Sequence, residues 1–205
     1  MYNYVMYHIK NQVEAEIEVK KSKFIAVLTP VNDIEEVGEV LSAVKKKYPS
    51  ATHYCTALIV NGIQRSSDDG EPSSTAGLPM LECLRGNKLE NVYCIVVRYF
   101  GGTLLGTGGL VRAYQQATNE AIKKAIRTIP VTMGIYQLSY PYYLTNKVEQ
   151  LLQAEAEIME RDYQEEAVIT YACEQDLSNR LLEISNGQLV PVKTGEMIRE
   201  KPVED

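Results

Sequence analysis

VVRYFGGTLLGTGGLVRAYQQATNEAIKKAI, residues 96–126, places an apolar strand, a glycine-rich loop and a helix in direct succession. Five glycines (Gly101, Gly102, Gly106, Gly108 and Gly109) fall within nine residues. Glycine is entropically costly to order, so such a cluster implies positive φ or a backbone that something approaches closely. A helix leaving such a loop presents unpaired N–H groups and the positive end of its dipole. That is an anion site for phosphate, carboxylate or a nucleic-acid backbone. Arg98 ends the strand and Arg112 is expected in the first helical turn; either guanidinium can clamp a phosphate bidentately. From Arg85 to Arg127 seven Lys/Arg stand against two acidic residues. The competing reading is a tight turn that lets the helix pack closely on the sheet, and both stay open. No Gly-Lys-Ser/Thr follows the glycines, so this is no Walker A loop. Nor is there a G-x-G-x-x-G with an acidic residue about 20 positions on, as dinucleotide binding requires.

Around this stretch, strands and helices mix in an α+β pattern. VEAEIEVKKSKFIAVLTPV (13–31) alternates like two antiparallel strands around a turn at Lys20–Ser22. Asp33 is the expected N-cap of a helix from Ile34 to Lys47, with Val37, Val40, Leu41 and Val44 on one face. Thr52–Val60 reads as a buried strand, residues 61–77 as a polar loop, LPMLECLR (78–85) as a short helix. Residues 91–100 form the next strand and Leu110–Arg127 the long helix. The second half reads β-α-β-β-α-β. Its strands are expected near 134–142, 156–162, 166–173 and 188–192, and its helices near 145–155 and 176–185. Thr145 is its first expected cap, and Val148, Leu151 and Leu152 share one helix face. That order is the ferredoxin-like split βαβ motif, a fold that names no function by itself.

Charge divides the chain at the same place. Residues 1–133 carry 15 Lys/Arg against 13 Asp/Glu, a net +2; residues 134–205 carry 6 against 14, a net −8. Two domains, 1–133 and 134–205, are therefore expected, with Pro130 and Gly134 near the joint. The 205 residues are 45% hydrophobic and 23% charged, a globular composition. No apolar run reaches the roughly 20 residues that span a bilayer, and the N-terminus lacks a signal-peptide pattern. Cys55, Cys83, Cys94 and Cys173 form no C-x-x-C, so neither a disulfide framework nor a zinc site is suggested. A cytoplasmic protein without membrane attachment is the expectation.

RSSDDGEPSSTAGLP (65–79) is the second dense stretch. Asp68, Asp69 and Glu71 offer oxygens of the kind Mg²⁺ takes, but without the spacing of an EF-hand. Asp-Gly and Glu-Pro are turn chemistry, and Ser73–Thr75 are placed to cap the next helix. Pairing of this acidic loop with Arg98 or Arg112 across a cleft is expected, and no metal ligand set is assigned. His53 and Cys55 share a strand face; without an orienting third group they read as a hydrogen-bonded His and a buried Cys rather than a nucleophilic pair. No catalytic residue and no cofactor are assigned.

KKSKFIAVLTPV, ATHYCTALIV, RSSDDGEPSSTAGLPMLECL and VVRYFGGTLLGTGGLVRAY together resemble the IMPACT/YigZ family, in order across about residues 18–127. Ser74 stands where the family usually has glycine, and Val97 where threonine often precedes the arginine. The resemblance implies a first domain with the fold of a small-subunit ribosomal protein, of domain IV of elongation factor G and of GHMP kinases, with a left-handed βαβ crossover. It also implies a ferredoxin-like second domain, similar to the last domain of elongation factor G. Eukaryotic members restrain a kinase of translation initiation through an added RWD domain. The shared stretch starts too near residue 1 to expect that domain here, and that role is not carried over.

Three functions follow. The first is a non-enzymatic, translation-associated or regulatory protein contacting ribosome or RNA backbone. Its glycine loop, Arg98 and Arg112 would do so, with Tyr99 and Phe100 as stacking candidates; the acidic second domain suits a protein partner. The second is a small-molecule phosphate-binding enzyme resembling GHMP kinases, with Asp68, Asp69 or Glu71 on Mg²⁺. The third is a pure protein-interaction module, whose arginines are held by its own acidic loop.

Overall fold

A computed structural model describes residues 6–163 and 165–203. The chain divides into two compact units, one of Met1–Ile129 with Pro202–Asp205, the other of Pro130–Lys201. The division falls four residues before the expected 133/134 joint, inside a strand rather than a linker, and the C-terminus counts with the first unit.

In the first unit a five-stranded antiparallel sheet runs in the order β2-β3-β6-β4-β5. The strands are β2 (Val13–Val19), β3 (Ser22–Pro30), β4 (His53–Val60), β5 (Ile63–Ser67) and β6 (Val92–Tyr99). A short β1 (His8–Ile9) pairs instead with β7 (Arg127–Tyr140). Helices cover both faces. Phe24, Ala26, Leu28, Ala57 and Val96 meet α2 (Gly77–Gly86) and α3 (Thr107–Lys124) through Met80, Leu84, Ala113, Tyr114 and Ala117. Ile25, Val27, Leu58, Ile95 and Val97 meet α1 (Glu36–Lys47) through Val44, with Val37, Val40 and Leu41 packed against them. A strand buried on both faces needs apolar residues at every position, which is why VYCIVV in β6 shows no alternation.

Four expectations change. Helix α1 begins at Glu36 with Glu35 at its N-cap, so Asp33 precedes it and its carboxylate accepts from Glu35 N–H at 3.0 Å. The polar loop at 61–77 contains β5, whose residues are all exposed and which pairs with β4 from Thr56↔Ser67 to Val60↔Ile63. Asn61 (φ 48°) and Gly62 (φ 75°) make its turn, the left-handed pair that a two-residue hairpin requires. The long helix begins at Thr107 and ends at Lys124, so Gly108 and Gly109 lie inside it, Arg112 sits in its second turn, and Arg127 opens β7. Finally, α2 is capped by Asp68, not by Ser73–Thr75: the Asp68 carboxylate accepts from the backbone N–H groups of Ser74, Ala76 and Gly77 at 2.8–3.0 Å.

The second unit has the element order β-α-β-β-α-β, from β7 through α4 (Thr145–Glu155), β8 (Glu157–Tyr163), β9 (Ala167–Cys173) and α5 (Ser178–Ile184) to β10 (Val192–Pro202). The last strand follows the expected 188–192 segment rather than filling it. Strand β9 lies between β7 and β8, and β10 pairs with β7. The core joins Leu138, Tyr140, Ile169 and Tyr171 to Val148, Leu151 and Leu152; Tyr136 stacks on Tyr171 at 5.6 Å. Thr145 is the first residue of α4, not its cap, and its buried hydroxyl has no partner among the described residues.

Candidate functional site

The glycines of the opening stretch divide by physical task. A Cβ on Gly101 would stand 2.0 Å from the carbonyl carbon of Lys21 and 2.3 Å from the Ser22 nitrogen, so the β2–β3 turn excludes any side chain there. Gly102 (φ 82°) and Gly106 (φ 71°) occupy the left-handed region. A Cβ on Gly109 would lie 3.1 Å from that of Leu105, whereas Gly108 has ordinary φ and meets nothing closer than the Arg112 guanidinium at 3.7 Å. Packing and turn geometry thus account for Gly101, Gly102, Gly106 and Gly109. Gly108, exposed in the first turn of α3, has no such account.

Gly106 caps α3 with its backbone alone; among the described residues no side chain caps the helix. The first helical bond runs from Leu110 N–H to the Gly106 carbonyl at 2.9 Å. The N–H groups of Thr107, Gly108 and Gly109 precede it and face outward with the positive end of the dipole. Arg112 is exposed, and its side chain runs back along the helix over Gly108, as helical side chains do. Among the described residues it makes no ion pair.

Arg98 is placed quite differently. It is 5% exposed, and its Nη1 bonds Glu71 Oε1 at 2.5 Å beneath the loop. Its Nη2 lies 3.5 Å from Ser22 Oγ, its guanidinium over the Phe24 ring, and its buried Nε has no acceptor among the described residues. The acidic loop therefore meets Arg98 through one residue, Glu71. Asp68 caps α2, and Asp69 accepts from Tyr54 N–H at 2.6 Å. The three carboxylates serve three separate tasks.

Sequence reasoning missed Tyr114 and Ser22. Tyr114 donates to Glu71 Oε1 at 2.7 Å, and burial, then Cys55 and Glu71, push its hydroxyl pKa upward. The phenol stays a donor. Ser22 Oγ also accepts from Gly101 N–H at 3.1 Å. His53 Nδ1 donates to the Asp69 carbonyl at 2.8 Å, leaving Nε2 3.9 Å from Glu71 Oε2. Burial raises the Cys55 thiol to about 12; it donates to the Asp68 carbonyl at 3.0 Å and is no nucleophile. A fully buried Tyr at helical spacing and a Ser in a turn carry no signal of their own in a single sequence.

Arg98, Glu71 and His53 floor a cavity of about 420 Å³ walled by Pro72, Phe100, Leu104, Leu105, Gly106 and Leu110. Gly106 and Thr107 belong both to its rim and to the start of α3. Elsewhere, no helix of the described residues is long and apolar enough to cross a membrane.

The Impact N-terminal domain model matches residues 20–122, which hold four of the sheet's five strands, the acidic loop and most of α3. An IMPACT family member of Haemophilus influenzae is 36% identical over 191 residues, 88% of this chain and 93% of its own length. IMPACT family member YvyE of Bacillus subtilis is 36% identical over 197 residues, 92% of this chain and 90% of its own. A crystal structure described as that of a hypothetical protein is 32% identical, covers 92% of this chain and 97% of its own, and superposes with a TM-score of 0.59. With the glycine loop and acidic loop matched in place and similarity across both units, the chain belongs to the IMPACT family.

Proposed function

We propose that this protein is a non-enzymatic, translation-associated regulator whose first unit holds RNA backbone at the start of α3. The observation that carries the reading is Gly108. It is an exposed helix-start glycine with no steric or conformational need, under an arginine that makes no ion pair among the described residues and beside two further uncapped N–H groups. A glycine costs a helix about 1 kcal/mol relative to alanine, and close approach of a ligand to the backbone is the remaining use for it. Phosphate is the ligand such a helix start and a bidentate arginine both favour. The +2 first 133 residues suit that contact better than the −8 remainder, which suits a protein partner. The fold implied by the family resemblance, shared with a ribosomal protein and with elongation factor G domains, supports the same setting, as does the ferredoxin-like order of the second unit.

Arg98 enters this reading as a positioning residue. Its pairing with Glu71 holds the strand end and acidic loop together, and Arg112 makes the phosphate contact. Co-sedimentation with ribosomes over a salt series tests the proposal. Binding that weakens steeply with salt, and is lost in folded Arg112→Glu, is expected; absence of binding at low salt overturns it.

A further inference from the structure

We propose that the cavity beside the start of α3 takes one unstacked base of a single-stranded RNA, an inference that rests on the phosphate reading above. The cavity has two kinds of wall. Phe100 (47% exposed) and Leu104 (83% exposed) stand at its mouth, with Leu105 and Leu110 behind them. Arg98, Glu71 and His53 form its polar side. That side is incompletely satisfied. Glu71 Oε1 takes both Arg98 Nη1 and Tyr114 Oη, while Oε2 has no hydrogen bond among the described residues. Glu71 Oε2, 3.9 Å from His53 Nε2, is therefore the acceptor that this side leaves open.

The chemistry of that side selects the occupant. A cationic side chain entering the cavity meets the Arg98 guanidinium, and a carboxylate meets Glu71, so a net charge of either sign is disfavoured. A base is flat, uncharged and apolar on its faces, and carries an N–H donor next to an acceptor along one edge. Its N–H donates to Glu71 Oε2, while Phe100 and Leu104 cover its faces. The phosphate of the same nucleotide then lies outside, at Thr107, Gly108 and Gly109, because Gly106 and Thr107 are shared by cavity rim and helix start. Base and phosphate sites adjoin as the two ends of one nucleotide do.

Fluorescence anisotropy with hexaadenylate, a fully abasic hexamer and free AMP tests this. The intact hexamer is expected to bind about 10-fold more tightly than the abasic one, the scale of one stacked base. Leu104→Ala and Phe100→Ala, each checked for fold by circular dichroism, are expected to bring the intact hexamer to the abasic level and leave abasic affinity unchanged. Equal affinity of the two hexamers for wild type overturns the base pocket and leaves the phosphate contact standing. AMP binding as tightly as the hexamer assigns the cavity to a free nucleotide and overturns the RNA occupant. If neither hexamer binds at low salt, the pocket and the phosphate reading fall together.

Discussion

Arg98 and Glu71 meet 2.5 Å apart with 5% and 8% of their surfaces exposed. They join the end of β6 to the acidic loop that follows β5. Removing one member of a buried pair strands the other, at a cost of about 3–5 kcal/mol. Glu71→Ala is therefore expected to lower stability by about 3 kcal/mol in urea unfolding. Arg98→Met combined with Glu71→Gln, which leaves Tyr114 an acceptor, is expected to recover at least half of that loss.

The glycines separate packing from binding. Gly101→Ala drives a Cβ into the Lys21–Ser22 backbone and is expected to give insoluble protein or a loss above about 3 kcal/mol. Gly108→Ala is expected to raise stability by about 0.5 kcal/mol while weakening RNA binding several-fold. Thermal unfolding and anisotropy on the two variants check both halves.

Ser74 has φ 60°, in the left-handed region where the resembling family usually carries glycine. Its side chain makes that conformation costly by about 1–2 kcal/mol, partly offset because glycine has more freedom to lose on folding. Ser74→Gly is expected to stabilise by about 0.5–1 kcal/mol, read from the urea midpoint at unchanged slope.

Burial holds the Cys55 and Cys94 thiols at about 12, against an ordinary 9.0. Both stay protonated in the folded protein above pH 9, whereas the unfolded chain loses those protons. Their contribution to stability is thus fully present below pH 9 and is lost as pH rises toward 12. Urea midpoints should fall across that window, and less so in Cys55→Ala referenced to its own pH 8 value. Iodoacetamide at pH 8 should leave both thiols unmodified until the protein unfolds.

Periodicity made most of this fold legible. The alternation in residues 13–31, the unbroken apolar run of β6 and the Val148/Leu151/Leu152 face each reflect burial, which the hydrophobic pattern records directly. Strand β5 escaped because all its residues are exposed and leave no apolar trace; Asn61-Gly62 was the available signal. The start of α3 escaped because Gly108 and Gly109 are poor helix formers that tertiary packing overrides. At the site, the meeting of the acidic loop with Arg98 was readable from charge. The choice of Glu71 over its neighbours was not, since it depends on Asp68 being drawn to the backbone of α2 and Asp69 to Tyr54.

Whether anions reach the start of α3 decides the function of the first unit. Amide chemical shifts followed by two-dimensional NMR during a titration with hexaadenylate measure that directly. Saturable shifts of the Thr107, Gly108 and Gly109 amides, weakened by salt and lost in Arg112→Glu, are predicted. Saturable shifts confined to other residues, with these three amides unmoved, would contradict it.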